Sequence, residues 1–226
     1  MFKKISIAVA ALLTTVGSQA ALIHYEFGLP IALTTTEIDQ TGQLSFFDPA
    51  LGVLTGAQIE VFGEGLFSFE GTNNAAQAQT ADLKAQSQLM FTSSLAVLNP
   101  FLLDPLLMQA SSGVQSYAVG EKKVFGPFNP TQSGLDNLAS VLASLQGLGS
   151  FDINCKSLSS FLVEGGGGNI STKQATQAGC GAKITYTYNP PTTVPEPTSL
   201  ALVGVALAAA GLSNRRRQIA KAPVRA

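Results

Sequence analysis

Runs of alternating apolar and polar residues recur through the body of this 226-residue chain, and they restrict its fold more than any other feature. Near the start, Ile23 and Phe27 alternate with His24 and Glu26, and residues 183–188 repeat the pattern. Successive side chains of a β-strand point to opposite faces, so this period places one face in a core and the other in water. The pattern predicts a mainly β body and a solvent-facing His24.

One segment has a different period. In residues 133–148, leucine and valine recur at helical spacing, and Ser133 with Asp136 resembles a helix capping box, so we expect one short helix here. Residues 76–91 fit a strand with Lys84 and Gln86 on its polar side, although their composition would also tolerate a helix.

Glycines indicate where strands turn. Gly63 and Gly65 separate two alternating runs and predict a bend within a hairpin-like pair. Residues 114–120 and 121–125 predict another strand pair, and the glycines of residues 165–168 predict a hairpin tip. These glycines lack the Lys-Ser/Thr that follows a phosphate-binding loop, so we do not expect a nucleotide site.

The N-terminus is typical of an exported protein. Residues 1–20 combine a lysine pair, an apolar stretch and small residues at the end, which is the pattern of a secretory signal peptide. We expect the secretion translocon to export the chain and signal peptidase to cut between Ala20 and Ala21.

The only two cysteines, Cys155 and Cys180, are expected to form a disulfide in an exported chain. Metal ligation is the alternative, but the sequence has no CxxC spacing and its single histidine is distant. We therefore expect no metal site and no cofactor.

The body of the chain is acidic. Residues 21–197 carry six lysines, no arginine and all 14 acidic residues, which gives a net charge of about −8. Nucleic-acid phosphates require a cationic surface, so nucleic acid is not an expected partner.

The C-terminal tail has three parts in order: the motif Val194, Pro195, Glu196, Pro197, an uncharged apolar run at residues 198–212, and the cluster Arg215, Arg216, Arg217. As a helix, the run would reach roughly 22 Å, which is shorter than the bilayer core of about 30 Å. The prolines favour an extended motif, and the arginines favour the cytoplasmic side. The tail therefore predicts a transient membrane anchor with an accessible cleavage site.

This tail resembles the PEP-CTERM sorting signal of Gram-negative bacteria, which the membrane protease exosortase recognises. The resemblance implies a linker at residues 190–194, a sorting signal at 195–217 and a cytoplasmic tail at 218–226. It also implies cleavage near the Pro-Glu-Pro sequence and delivery to the cell surface or extracellular matrix. An ordinary C-terminal transmembrane anchor is the alternative, but it does not explain the Pro-Glu-Pro sequence.

The body resembles the choice-of-anchor E domain at residues 46–54 and 182–188. The resemblance spans residues 21–188 and implies a β-sandwich. We expect a single jelly-roll-like sandwich at residues 21–189, with the short helix described above. The resemblance to the choice-of-anchor E domain implies no catalytic residues.

Three functions fit the sequence. The first is a non-catalytic surface or matrix protein with a structural or adhesive role, for which extracellular polysaccharide is a candidate partner. The second is a carbohydrate-binding module, which the absence of tryptophan weakens. The third is a glycan-active hydrolase, which would need two carboxylates about 5–10 Å apart. Its candidates are Asp48, Glu60, Glu64, Glu70, Asp82 and Asp152.

Overall fold

The computed structural model describes residues 20–191, 203–204 and 206–207. The chain divides into two units, Met1–Pro190 and Pro191–Ala226. In the second unit, residues 203–204 and 206–207 are helical and exposed. Among the residues described, no helix is long and apolar enough to cross a membrane. The predicted signal peptide, except Ala20, and most of the predicted tail helix lie outside this set.

The first unit consists mainly of strands, as the alternating pattern predicts. The strands are β1 Ala21–Phe27, β2 Thr34–Thr35, β3 Asp39–Ser45, β4 Val53–Asn73, β5 Gln79–Ser93, β6 Leu106–Ser111, β7 Gln115–Tyr117, β8 Lys122–Phe128, β9 Thr131–Asn137, β10 Ser150–Gly165 and β11 Ile170–Asn189. Short 3-10 helices connect some of them: Pro49–Leu51, Ala96–Phe101, Ala139–Leu145 and Gly166–Gly168.

The strands pair antiparallel in two sheets. Sheet A has the order β1-β11-β4-β8, with β2 beside β11 and β9 beside β4. Sheet B has the order β3-β10-β5-β6, with β7 beside β5. The sheets enclose one core, in which Phe47, Phe67 and Leu89 are fully buried. The chain passes repeatedly from one sheet to the other, as in a jelly roll, so the predicted sandwich is confirmed. The passages lie between β2 and β3, β3 and β4, β4 and β5, β7 and β8, β9 and β10, and β10 and β11.

β4 continues through Gly63 and Gly65, so the predicted bend at these glycines is wrong. From Ala57 to Asn73, buried positions alternate with more exposed ones, and both glycines face the core. A Cβ atom added to Gly63 would lie 2.5 Å from Cδ1 of Leu89 in sheet B. Gly63 therefore makes room for the facing sheet, and this contact is not visible in the local sequence.

The helix predicted in residues 133–148 is confirmed only for the second part of the segment. The first part of this segment belongs to β9, which pairs with β4, and Ala139–Leu145 is a separate 3-10 helix. Leu135 points outward and is 62% exposed, whereas Leu138 and Leu145 are buried. The helical spacing therefore combines leucines of two different elements. The backbone N–H and C=O groups of β9 form hydrogen bonds with β4, so they do not need the internal hydrogen bonds of a helix.

Two further predictions placed strands correctly but gave them the wrong partners. Within residues 114–125, β7 pairs with β5 in sheet B, whereas β8 pairs with β4 in sheet A. The glycines of residues 165–168 do not form a hairpin tip, because β10 and β11 belong to different sheets. All four glycines have positive φ angles, which suit the turn from one sheet to the other.

The segment after β1 crosses from sheet A to sheet B. It lies over Gly179 of β11, where a Cβ atom would approach the Ala32 carbonyl oxygen to 2.5 Å. Farther along, the Ile38 N–H donates to the Ser157 hydroxyl at 2.8 Å, and the Ser157 N–H donates to the Ile38 carbonyl at 3.1 Å. These contacts fix the crossing on both sheets.

Candidate functional site

The structure describes only part of the predicted processing sites. Outside the described residues lie the predicted sorting residues Val194, Pro195, Glu196, Pro197, Arg215, Arg216 and Arg217. Ala20 is exposed, and Ala21 begins β1 opposite Tyr188 of β11. β11 ends at Asn189, so the sandwich ends directly before the predicted linker at residues 190–194.

Cys155 and Cys180 form a disulfide bond, which confirms the predicted pairing. Cys155 lies in β10 of sheet B and Cys180 in β11 of sheet A, with their Cα atoms 6.7 Å apart. Both side chains are buried in the core. The bond therefore links the two sheets covalently and is protected from solvent.

The carboxylates proposed for a hydrolase are spread over both sheets and one turn. Glu60, Glu64 and Glu70 lie on the outer side of β4, where residues four apart are separated by about 13 Å. Glu60 forms an ion pair with Lys183 at 2.7 Å, and Glu70 forms one with Lys122 at 2.6 Å. These contacts indicate structural roles on the wet face of the sheet.

The other three candidates lie apart from that row. Asp48 caps the helix Pro49–Leu51 by accepting a hydrogen bond from the Ala50 N–H at 2.8 Å. Asp82 lies in β5 and Asp152 in β10. Within residues 20–191, no group of three or more His, Cys, Asp or Glu side chains could hold a metal ion. His24 is exposed in β1, as its alternating position predicts.

The tyrosines do not form an exposed binding platform. Tyr117 and Tyr186 are fully buried, and Tyr25 and Tyr188 are half-buried against the core. The Tyr186 hydroxyl donates to the Ser45 carbonyl at 2.9 Å, and burial raises its pKa. Burial also raises the pKa of Tyr117, whose hydroxyl has no hydrogen-bond partner in the described part of the chain.

A groove lies on the outer face of sheet B with β5 as its floor, and we call it the β5 groove. Its volume is about 490 Å³, and its lining includes Lys84, Gln86, Gln109, Ser111, Ser160 and Leu162. Strand register places these side chains in two rows across β10, β5 and β6: Ser160-Gln86-Gln109 and Leu162-Lys84-Ser111. The β5 side chains are half-buried and those of the flanking strands are exposed, so the flanking strands form the walls.

Lys84, the cation in the lining of the groove, lies close to two carboxylates. Lys84 Nζ lies 2.6 Å from Glu164 Oε2 and 3.7 Å from Asp82 Oδ2. The hydrogen bond to Glu164 raises the pKa of the Lys84 ammonium. Asp82 also accepts a hydrogen bond from the Ser111 hydroxyl at 2.7 Å. One lysine and two carboxylates leave this end of the groove with a net negative charge.

The neutral row of the groove offers hydrogen-bonding groups to solvent. Gln109 Nε2 donates to Gln86 Oε1 at 3.2 Å, which leaves the Gln86 amide N–H groups and the Gln109 carbonyl available. The Ser160 hydroxyl makes no hydrogen bond within the described residues. The strand predicted at residues 76–91 is confirmed as β5, with Lys84 and Gln86 on its polar face. Gln109 and Ser160 were missed, because only the sheet order brings them to β5.

Comparison with known proteins finds similar solved structures and one sequence motif. No curated protein matches the chain. The chain is similar to a structure of infectious bursal disease virus Gx strain, with 11% identity, a TM-score of 0.20, and coverage of 83% of this chain and 48% of the viral chain. For the Gt strain the values are 10%, 0.21, 84% and 47%. The chain therefore spans about half the length of the viral chains.

Residues 193–217 match the family model of the PEP-CTERM protein-sorting motif. The matched range contains the Pro-Glu-Pro sequence, the apolar run and the arginine cluster from which the tail was interpreted. The chain therefore carries the C-terminal motif of an exported protein that exosortase sorts.

Proposed function

We propose that this protein is delivered to the cell surface or extracellular matrix of a Gram-negative bacterium and has a non-catalytic structural or adhesive role there. The observation that carries the proposal is the PEP-CTERM match at residues 193–217. In this proposal, signal peptidase removes residues 1–20, the tail holds the chain in the membrane transiently, and exosortase cuts near the Pro-Glu-Pro sequence. The sandwich is the part that is retained.

The body has properties that support this role. The buried disulfide suits an oxidising compartment outside the cytoplasm. The carboxylates with defined partners, such as Glu60, Glu70 and Asp48, cap a turn or pair with lysines. We further propose that the body is a choice-of-anchor E domain, which the observed β-sandwich supports.

A carbohydrate-binding role is the second candidate. The β5 groove favours it, because it offers an open row of amide and hydroxyl groups on a sheet face. This role is compatible with the first proposal, since binding to a polysaccharide would retain the protein in the matrix.

Replacing the two motif prolines tests the sorting proposal. We expect Pro195→Ala/Pro197→Ala to reduce C-terminal cleavage and release in a host that contains exosortase, because the motif loses its extended backbone. Mass spectrometry of the mature C-terminus and the amount of protein in the medium measure the two effects.

The chain offers a matched control in Pro190→Ala/Pro191→Ala, which changes two prolines of the same segment outside the motif. This control should be processed like the wild type, and a host without exosortase should leave the tail intact. Unchanged trimming of the motif variant, or full trimming without exosortase, would contradict the proposal.

A further inference from the structure

We propose that the β5 groove is a binding site for a neutral glycan of the extracellular polysaccharide. This inference rests on the proposed function, and it adds a ligand class and the residues that bind it. The groove volume of about 490 Å³ lies within the range of about 300–1,000 Å³ that is usual for ligand sites. Because the groove lies on an outer sheet face, a polymer chain can enter it from the side.

The hydrogen-bonding groups of the groove suit a ligand with many hydroxyls. A sugar hydroxyl both donates and accepts, so its site needs donors and acceptors close together. Gln86 presents amide N–H groups, Gln109 presents a carbonyl, and Ser160 presents a hydroxyl that does both. These three residues lie in one row across three paired strands, so the sheet holds them at fixed spacing.

The charge of the groove selects against anionic polymers. Lys84 is the cation in its lining, and it is already paired with Glu164 at 2.6 Å and lies 3.7 Å from Asp82. The local charge of these three groups is therefore negative. A polyuronate or sulfated glycan would be repelled, whereas a neutral glycan carries no such penalty.

The wall of the groove adds apolar surface for the C–H groups of sugar rings. Leu162 is 54% exposed and lies in the lining. Leu158 is 55% exposed and lies on the other side of Ser160 from Leu162, two residues or about 7 Å from Ser160 along β10. A ligand with hydroxyls on its rim and C–H groups on its face complements a polar floor beside leucines.

The experiment uses the processed protein purified from a host that exports it. Affinity electrophoresis and calorimetry are carried out with dextran, mannan and galactan as neutral probes, and with alginate as the anionic probe. We expect a neutral probe to bind and alginate to bind at least tenfold more weakly. Gln86→Ala and Ser160→Ala should each weaken binding about two- to tenfold, which is the range for one lost neutral hydrogen bond.

Gln58→Ala is the matched control, because Gln58 is an exposed glutamine on the outer side of β4 in the other sheet. It should bind like the wild type. All three variants change surface side chains, and equal melting temperatures verify their folding.

Three results would overturn the inference: no binding of any neutral probe, stronger binding of alginate, or equal loss of binding in the groove variants and Gln58→Ala. Binding of an extended peptide at the groove in place of the neutral probes would also overturn it. Each of these results leaves the sorting proposal intact, because C-terminal processing is measured separately. Failed processing with intact glycan binding would instead contradict the sorting proposal alone.

Discussion

The disulfide between Cys155 and Cys180 provides the sharpest test of how the sandwich is stabilised. Replacing both cysteines with alanine should lower the free energy of unfolding by about 3.5 kcal/mol. The bond joins residues 25 apart in sequence. Closing a loop of that length removes about 12 cal/mol/K of entropy from the unfolded chain, which equals about 3.5 kcal/mol at 25 °C.

This free energy corresponds to a large thermal shift. For a domain of this size, each kcal/mol changes the melting temperature by about 2–4 °C, so the double variant should melt about 7–14 °C lower. Losing two buried sulfur atoms adds a smaller packing term of the same sign. Differential scanning calorimetry measures the midpoint, and urea unfolding measures the free energy.

Oxidised wild-type protein is the reference, and wild type unfolded in the presence of a reductant should lose about 3.5 kcal/mol, slightly less than the double variant. A loss below about 1 kcal/mol would refute the reasoning. Alkylation in denaturant provides a second check, because two reactive thiols in untreated protein would show that the bond is absent.

Three further predictions concern other features of the fold. Tyr186→Phe should lower the free energy of unfolding by about 1 kcal/mol because it removes the hydrogen bond that the buried hydroxyl donates to the Ser45 carbonyl, whereas Tyr117→Phe should be neutral or stabilising because its hydroxyl has no partner among the described residues; a larger loss in Tyr117→Phe than in Tyr186→Phe, measured by urea unfolding, would contradict this. Gly179→Ala should be destabilising because its Cβ would lie 2.5 Å from a backbone oxygen, whereas Gly56→Ala, with its nearest neighbour at 3.5 Å, should stay within about 0.5 kcal/mol of wild type in the same assay. The Asn154 side chain donates a hydrogen bond to the Asp39 carboxylate, so an NMR titration should find the pKa of Asp39 below its ordinary value of about 3.9. The stability that this hydrogen bond contributes is complete above the unfolded-state pKa of Asp39 and is lost as the pH falls through the folded-state pKa. Asp39→Asn should therefore reduce the dependence of the unfolding free energy on acid pH.

Strands whose two faces differ strongly were predictable from sequence. β1 and the last part of β11 alternate between apolar and polar residues, and they pair directly, with Tyr25 opposite Ile184. The tail motif was equally visible, because its three parts are contiguous and it matches a family model at residues 193–217. In both cases, the physical information lies within a few neighbouring residues.

The wrong predictions concern features whose causes lie far away in sequence. Gly63 was interpreted as a bend, but Leu89 of the facing sheet explains it. The leucines of residues 133–148 have helical spacing, but the first part of the segment pairs with β4 and is therefore a strand. Only part of the candidate groove was predictable from sequence: the polar face of β5 could be predicted, but the position of Gln109 and Ser160 beside it could not.

If the C-terminal tail holds the protein as proposed, the position of the disulfide has a mechanical consequence. Tension on the tail would enter the sandwich at Asn189, the last residue of β11. The nine residues from Gly181 to Asn189 could peel from sheet A, which frees an extended segment about 30 Å long. At Cys180 the load would pass through the covalent bond to Cys155 in the opposite sheet. The bond therefore acts as a mechanical stop that limits how far a pulled chain can unravel.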